Sequence, residues 1–386
     1  MRRILTLLVL VASTAVLLGV VAVKSGSGGD GERDYASFLK RCSAMTEVSV
    51  ASAENCLDKV MRQAIDRQDM QQLISSLLAA TADDVAFRDV CHSVSHSIGE
   101  YALNRYPSLD EVLLDTDTRA CQEGLAHGVA EAFALEEKTE AEWKEFAKAC
   151  ANAVINGENR GWGCTHGTGH ALFLAADTPE VGTLLQLCED MVVQVDERAR
   201  SPFREGCAYG VAMSNWSTPS IAGQPDGRAV SQIEKPDEAA RLCASAGTEN
   251  ETRMGCMAGF GFSMGENLYK MRYTIDPQNP TYVPTLVTTY LRSCLSVAEE
   301  GLSEHCVGQF LQHIARLYHL DAEQFLAFCG EMGRAAEAEG IPLECLRSAR
   351  FTLDASVYQI LLAEDPELTT ALDTIADADS NDTASK

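Results

Sequence analysis

Basic residues are scarce in this chain: 31 Lys and Arg stand against 56 Asp and Glu, a formal net charge of −25. A surface of that sign repels phosphate backbones, which sets nucleic acid aside as a partner, and it repels an anionic membrane surface as well. Aromatic residues make up only 6% of the 386 residues and prolines number 11. There is little alternation of β-branched with polar residues, so strands are poorly represented and a helical chain is expected. No Walker-type phosphate loop occurs and no G-x-G-x-x-G follows a strand, which removes the common nucleotide sites. There is no G-x-S-x-G elbow, no H-E-x-x-H and no C-x-x-C-H haem attachment motif. Gly259-Phe260-Gly261 falls within a helical unit, and Met257, Met264 and Met271 form a seven-residue stripe of the kind that fills cores.

Long hydrophobic runs are absent but for one. Ile4 to Val23 is a run of twenty residues without a charge, preceded by Met1-Arg2-Arg3. Twenty helical residues rise about 30 Å, the thickness of the hydrocarbon core, and the arginines favour a cytoplasmic amino end. The expectation is a signal-anchor over residues 1–23 that places the rest outside the cytoplasm in a single-pass arrangement. A cleaved signal, giving a secreted or periplasmic protein, is the alternative, although signal h-regions are shorter, about 7–15 residues. Residues 24–34 read as a Gly/Ser/acidic linker and residues 366–386 as an acidic, disordered tail.

Fourteen cysteines in an exported chain point first to disulfides. They sit in a repeat. Gly163-Cys164-Thr165-His166-Gly167 returns as Gly206-Cys207-Ala208-Tyr209-Gly210 and as Gly255-Cys256-Met257-Ala258-Gly259. Ala120-Cys121-Gln122-Glu123-Gly124 is an earlier copy, and the segments around Cys306 and Cys345 are later ones, at spacings of about 39 to 50 residues. Each of these cysteines has a partner upstream at the end of a helix-like run. The unit reads as helix, Cys, loop, Cys, helix, and sequential pairing is the scheme that is local in every unit: Cys42–Cys56, Cys91–Cys121, Cys150–Cys164, Cys188–Cys207, Cys243–Cys256, Cys294–Cys306 and Cys329–Cys345. Glycine in a helix costs about 1 kcal/mol against alanine. A repeated Gly-C-x-x-Gly therefore implies a tightly apposed neighbour. The fold expected over residues 35–365 is all-α, a solenoid-like stack of disulfide-stapled helical hairpins behind an N-terminal membrane helix.

Of eight histidines, five lie between residues 92 and 170. His92 and His96 are four apart, as are Glu123 and His127, and His166 and His170. Residues at i and i+4 share a helix face and can hold one ion. Counted from the repeat cysteine, Glu123/His127 and His166/His170 occupy equal slots, and His92/His96 stand one position earlier. Later units carry Tyr209/Met213 and Ala258/Phe262 in those slots. Stacked units would bring the six residues His92, His96, Glu123, His127, His166 and His170 onto one surface. Imidazole with a carboxylate suits a transition metal ion, Zn, Fe or Cu(II), for storage, delivery or activation of a bound water. Glu100 is a candidate extra ligand, though a solvated position suits it equally. His305, His313 and His319 lack the paired spacing and read as structural or exposed.

The function expected is therefore a membrane-anchored, extracytoplasmic metal-binding protein, with a metalloenzyme as one form of it; no residue defines a substrate. The alternative is a disulfide-stapled helical scaffold for a partner protein, in which the histidines bridge neighbouring helices. Asn215, Asn250 and Asn381 begin glycosylation sequons that matter only in a eukaryotic setting.

Overall fold

A computed structural model of the chain describes residues 35–317, apart from 46–49, most of 67–84, 116–119, 157–159, 177–179, 217–234, 248 and 275–281. The apolar segment at residues 4–23, the linker at 24–34, the pair Cys329–Cys345, His319 and the tail at 366–386 lie outside the described residues. Among the described residues no helix is long and apolar enough to cross a membrane.

The described chain is helical and contains no strand. In order, the helices are α1 (Tyr35–Ser43), α2 (Val50–Asp66), α3 (Val85–Leu103), α4 (Leu109–Asp115), a 3-10 turn (Ala120–Glu123), α5 (Gly124–Ala134), α6 (Glu140–Asn156) and α7 (Arg160–Ala175). Then come α8 (Val181–Val192), α9 (Glu197–Trp216), α10 (Pro236–Ala244), α11 (Asn250–Thr274), α12 (Tyr282–Leu295) and α13 (Glu300–Leu317). Local signals define many of the ends. Thr139 and Glu142 form a reciprocal capping box at the start of α6: the Glu142 carboxylate accepts from the Thr139 N–H at 2.8 Å, and the Thr139 hydroxyl accepts from the Glu142 N–H at 3.3 Å. α10 opens on Pro236 followed by two acids, which suits a helix amino end. The buried residues of α8, Val181, Leu184, Leu185, Cys188, Met191 and Val192, follow the 3.6-residue period.

Two rows of helices result. α2, α3, α5, α7, α9, α11 and α13 touch one another in sequence, each packed on the next. α4, α6 and α8 touch in turn alongside, as do α10 and α12, and from α6 onward each helix of this second row packs on the first-row helix that follows it. The first row is close because glycines line it. A Cβ at Gly210 would overlap the His166 carbonyl oxygen, one at Gly259 the Tyr209 carbonyl, and one at Gly261 the Cys306 carbonyl. Backbones thus meet where the Gly-C-x-x-Gly pattern implied an apposed neighbour. Among the described residues, Phe146, Phe203, Phe260, Tyr290 and Phe310 are the largest fully buried side chains.

Six disulfides link the described cysteines in sequential order, and none of the described cysteines is free. Five of them join consecutive helices. Cys91–Cys121 is different: it ties α3 to the turn before α5, two members of the same row, and α4 between them carries no cysteine. That is why His92 and His96 stand one slot out of frame. Cys91 is the upstream half of its bond, whereas Cys164 and Cys207 are downstream halves.

Candidate metal centre

The five early histidines come from three consecutive helices of the first row: His92 and His96 from α3, His127 from α5, His166 and His170 from α7. The glycines draw these helices together at the level of the rings. Gly128 faces the His96 backbone, Gly124 faces His92 and Ser95, and Gly99 faces the backbone of Leu125 and Val129. On the other side, a Cβ at Gly167 would stand 3.0 Å from the His127 Cα.

His127 is the hub. It is 2% exposed, and its ring centroid lies 5.5 Å from that of His92, 5.3 Å from His96, 4.4 Å from His166 and 5.4 Å from His170. Neither of its ring nitrogens has a hydrogen-bond partner. Two groups of potential ligand atoms form around it, His92/His96/His127 and His127/His166/His170, each with its nitrogens within 4.8 Å of one another.

Outer hydrogen bonds set the tautomers. His92 Nδ1 lies 3.0 Å from the Cys121 carbonyl, which can only accept, so this nitrogen carries the proton. His96 Nδ1 lies 2.8 Å from the Glu131 carboxylate. Burial works to raise the Glu131 carboxyl, but the His96 charge and hydrogen bond, with His170 and His92 beyond, outweigh it and hold the group below its usual range. Glu131 is therefore ionised at neutral pH and accepts the His96 proton. With both Nδ1 atoms protonated, each neutral ring keeps its lone pair on Nε2, and the two Nε2 atoms face each other at 3.2 Å. On α7 the same spacing recurs: His170 Nδ1 meets the Ser214 hydroxyl, which can donate or accept, at 2.5 Å, and its Nε2 stands 2.9 Å from His166 Nε2. Bonds of about 2.0–2.1 Å to one tetrahedral ion separate its nitrogen ligands by about 3.3 Å. Both pairs are thus spaced to share an ion. A ring oriented by its other nitrogen toward a carbonyl or carboxylate is the usual support of a metal-binding histidine.

Three of the rings are also kept uncharged. Burial, followed by repulsion from neighbouring imidazoles, holds His127 and His166 well below their ordinary range. Burial brings His170 down to about 4, with Glu131 pulling upward and His96 downward. A neutral imidazole offers the lone pair that a metal requires. No thiolate competes among the described residues, because the cysteines are bonded.

Five of the six residues singled out by spacing meet here; Glu123 does not join either group. Its helical spacing from His127 is only apparent. Glu123 ends the 3-10 turn with φ 69°, in the left-handed region, and α5 starts one residue later. Its Cβ and Cγ lie instead against Gly163, and burial pushes its carboxyl up to about 8. The carboxylate that reaches the rings is Glu131, four residues after His127, a spacing that could have marked it. Glu100 is exposed. Beyond the centre the ring row continues in apolar form: Tyr209 stands edge-on to His166 at 4.7 Å, Phe262 lies 6.0 Å from Tyr209, and His313 stacks on Phe262 at 3.7 Å. His305 Nδ1 turns back onto the Gly301 carbonyl at 2.7 Å.

No family model matches the chain, and no curated protein or solved structure matches it either.

Proposed function

We propose that this is a membrane-anchored, extracytoplasmic protein that binds transition metal through His92, His96, His127, His166 and His170, on a solenoid-like stack of disulfide-stapled helical hairpins. One observation carries the reading. The Nε2 atoms of paired histidines face each other around a buried imidazole whose own nitrogens have no hydrogen-bond partner. Burying the two His127 nitrogens without a partner costs about 1–3 kcal/mol each, and a cation bound to them removes that cost. Glu131, the Cys121 carbonyl and Ser214 hold the ligands in orientation. Five imidazoles without thiolate suit Zn, Cu(II) or Fe. The export signal expected at residues 1–23 and the oxidised cysteines support a place outside the cytoplasm.

Elemental analysis of the purified full-length chain tests the assignment, beside His127→Ala and His170→Ala variants. Metal in the parent, and its loss or reduction in both variants with the helical circular dichroism kept, is the expected result. A parent that stays metal-free after incubation with Zn, Cu and Fe removes the metal reading and leaves the scaffold in its place.

A further inference from the structure

We propose that the centre holds two ions and that His127 bridges them through both of its ring nitrogens. One ion would be bound by His92, His96 and His127, the other by His127, His166 and His170. The proposal rests on the metal-binding reading above and adds to it the number of ions and the link between them.

Three features of the geometry point this way. His127 is the one member common to both ligand groups. Its helix, α5, packs against α3 on one side and α7 on the other, so the two histidine pairs reach it from different neighbours. Finally, the rings differ in what they have left to give. His92, His96 and His170 each commit Nδ1 to an outer partner and so retain a single inward nitrogen. His127 commits neither nitrogen, although both are fully buried. Among these rings only His127 has two buried nitrogens without a hydrogen-bond partner, so it alone has room for two ions. A single tetrahedral ion has places for four ligands and would leave one of the five imidazoles unused.

The chemistry balances as follows. A neutral imidazole has one lone pair, which forms the first metal–nitrogen bond. The second bond forms as the remaining N–H proton leaves to water, and the ring then carries one negative charge between two cations. Bonds of about 2.0–2.1 Å on either side of one ring place the ions roughly 6 Å apart. Each ion receives three protein nitrogens, which leaves a position for water or a small ligand, the arrangement of catalytic rather than closed structural sites. The partial exposure of His92, His96 and His170 puts solvent on that side.

Copper(II) is the probe, because two such ions linked through one ring couple magnetically. The full-length chain in detergent is stripped with chelator and titrated with Cu(II), and the bound metal and the electron paramagnetic resonance signal are followed together. Two coppers per chain, with the signal per copper falling sharply as the second ion enters, is the expected outcome. The double variants His92→Ala/His96→Ala and His166→Ala/His170→Ala each retain one copper with its full signal. His127→Gln abolishes the coupling; if that variant does not fold, the two double variants carry the test. Two coppers with additive signals, or a single copper in the parent, overturn the bridge while leaving the metal-binding reading intact. A parent that binds no copper overturns both.

Discussion

An alanine at position 128 would have to put its Cβ within the backbone of α3, over the carbonyl group of His96. Backbone cannot swing aside as a side-chain tip can, so α3 and α5 must separate. Overpacking of this kind costs about 1–3 kcal/mol, and the upper end applies where the obstacle is a helix. The substitution also gains about 1 kcal/mol of helix propensity. The net expectation is a loss of about 2 kcal/mol, which lowers the Tm by roughly 3–4 °C for a body of this size. Gly182→Ala and Gly301→Ala are the controls, because a Cβ at either meets nothing within 4 Å. They share the gain without the clash and should leave the Tm unchanged or raise it slightly. Moving α3 also carries His92 and His96 away from His127, so Gly128→Ala should weaken metal binding at least tenfold while the controls do not. Thermal unfolding and a metal titration of the three variants decide the matter. If Gly128→Ala unfolds at the temperature of Gly182→Ala, the close approach of α3 and α5 is wrong, and with it the geometry of the centre.

Glu131→Gln removes the charge that orients His96 without changing size, and metal affinity measured by competition with a chelator should fall about 10–100-fold with the fold kept. The stability of the metal-free protein should pass through a maximum near pH 6.5. Below that pH the unfolded chain protonates His127, His166 and His170 while the folded chain does not until lower pH, about 4 for His170, so stability falls on acidification. Above it the folded chain keeps the Glu123 proton up to about pH 8 while the unfolded chain has lost it, so stability falls as the pH rises. Denaturant titrations across pH 5–8 check the shape, and a monotonic rise to pH 8 would contradict it. Removing Cys150–Cys164 with paired alanines should cost about 3 kcal/mol. Removing Cys91–Cys121 should cost about 0.7 kcal/mol more, because it closes 30 rather than 14 residues.

The helical class, the six disulfides of the described residues and the pairing of His92 with His96 and of His166 with His170 were all determined by sequence alone. They depend on local quantities: the 3.6-residue period, the short separation of each cysteine from its partner, and the i, i+4 geometry of a single helix. Tertiary structure decided the rest. Periodicity says which residues share a face of their own helix, but not how closely a neighbouring helix approaches or which of its turns lies opposite. Those were settled by glycine-to-backbone contacts between α3, α5 and α7, which made His127 the common member of both groups. The same limit explains the exchange of Glu123 for Glu131. A left-handed residue before α5 breaks the spacing that the sequence displays, and only the folded backbone shows that the helix begins after Glu123. The Cys121 carbonyl that orients His92 has no side-chain signature and comes into position only because the α3 disulfide ties that turn against the helix.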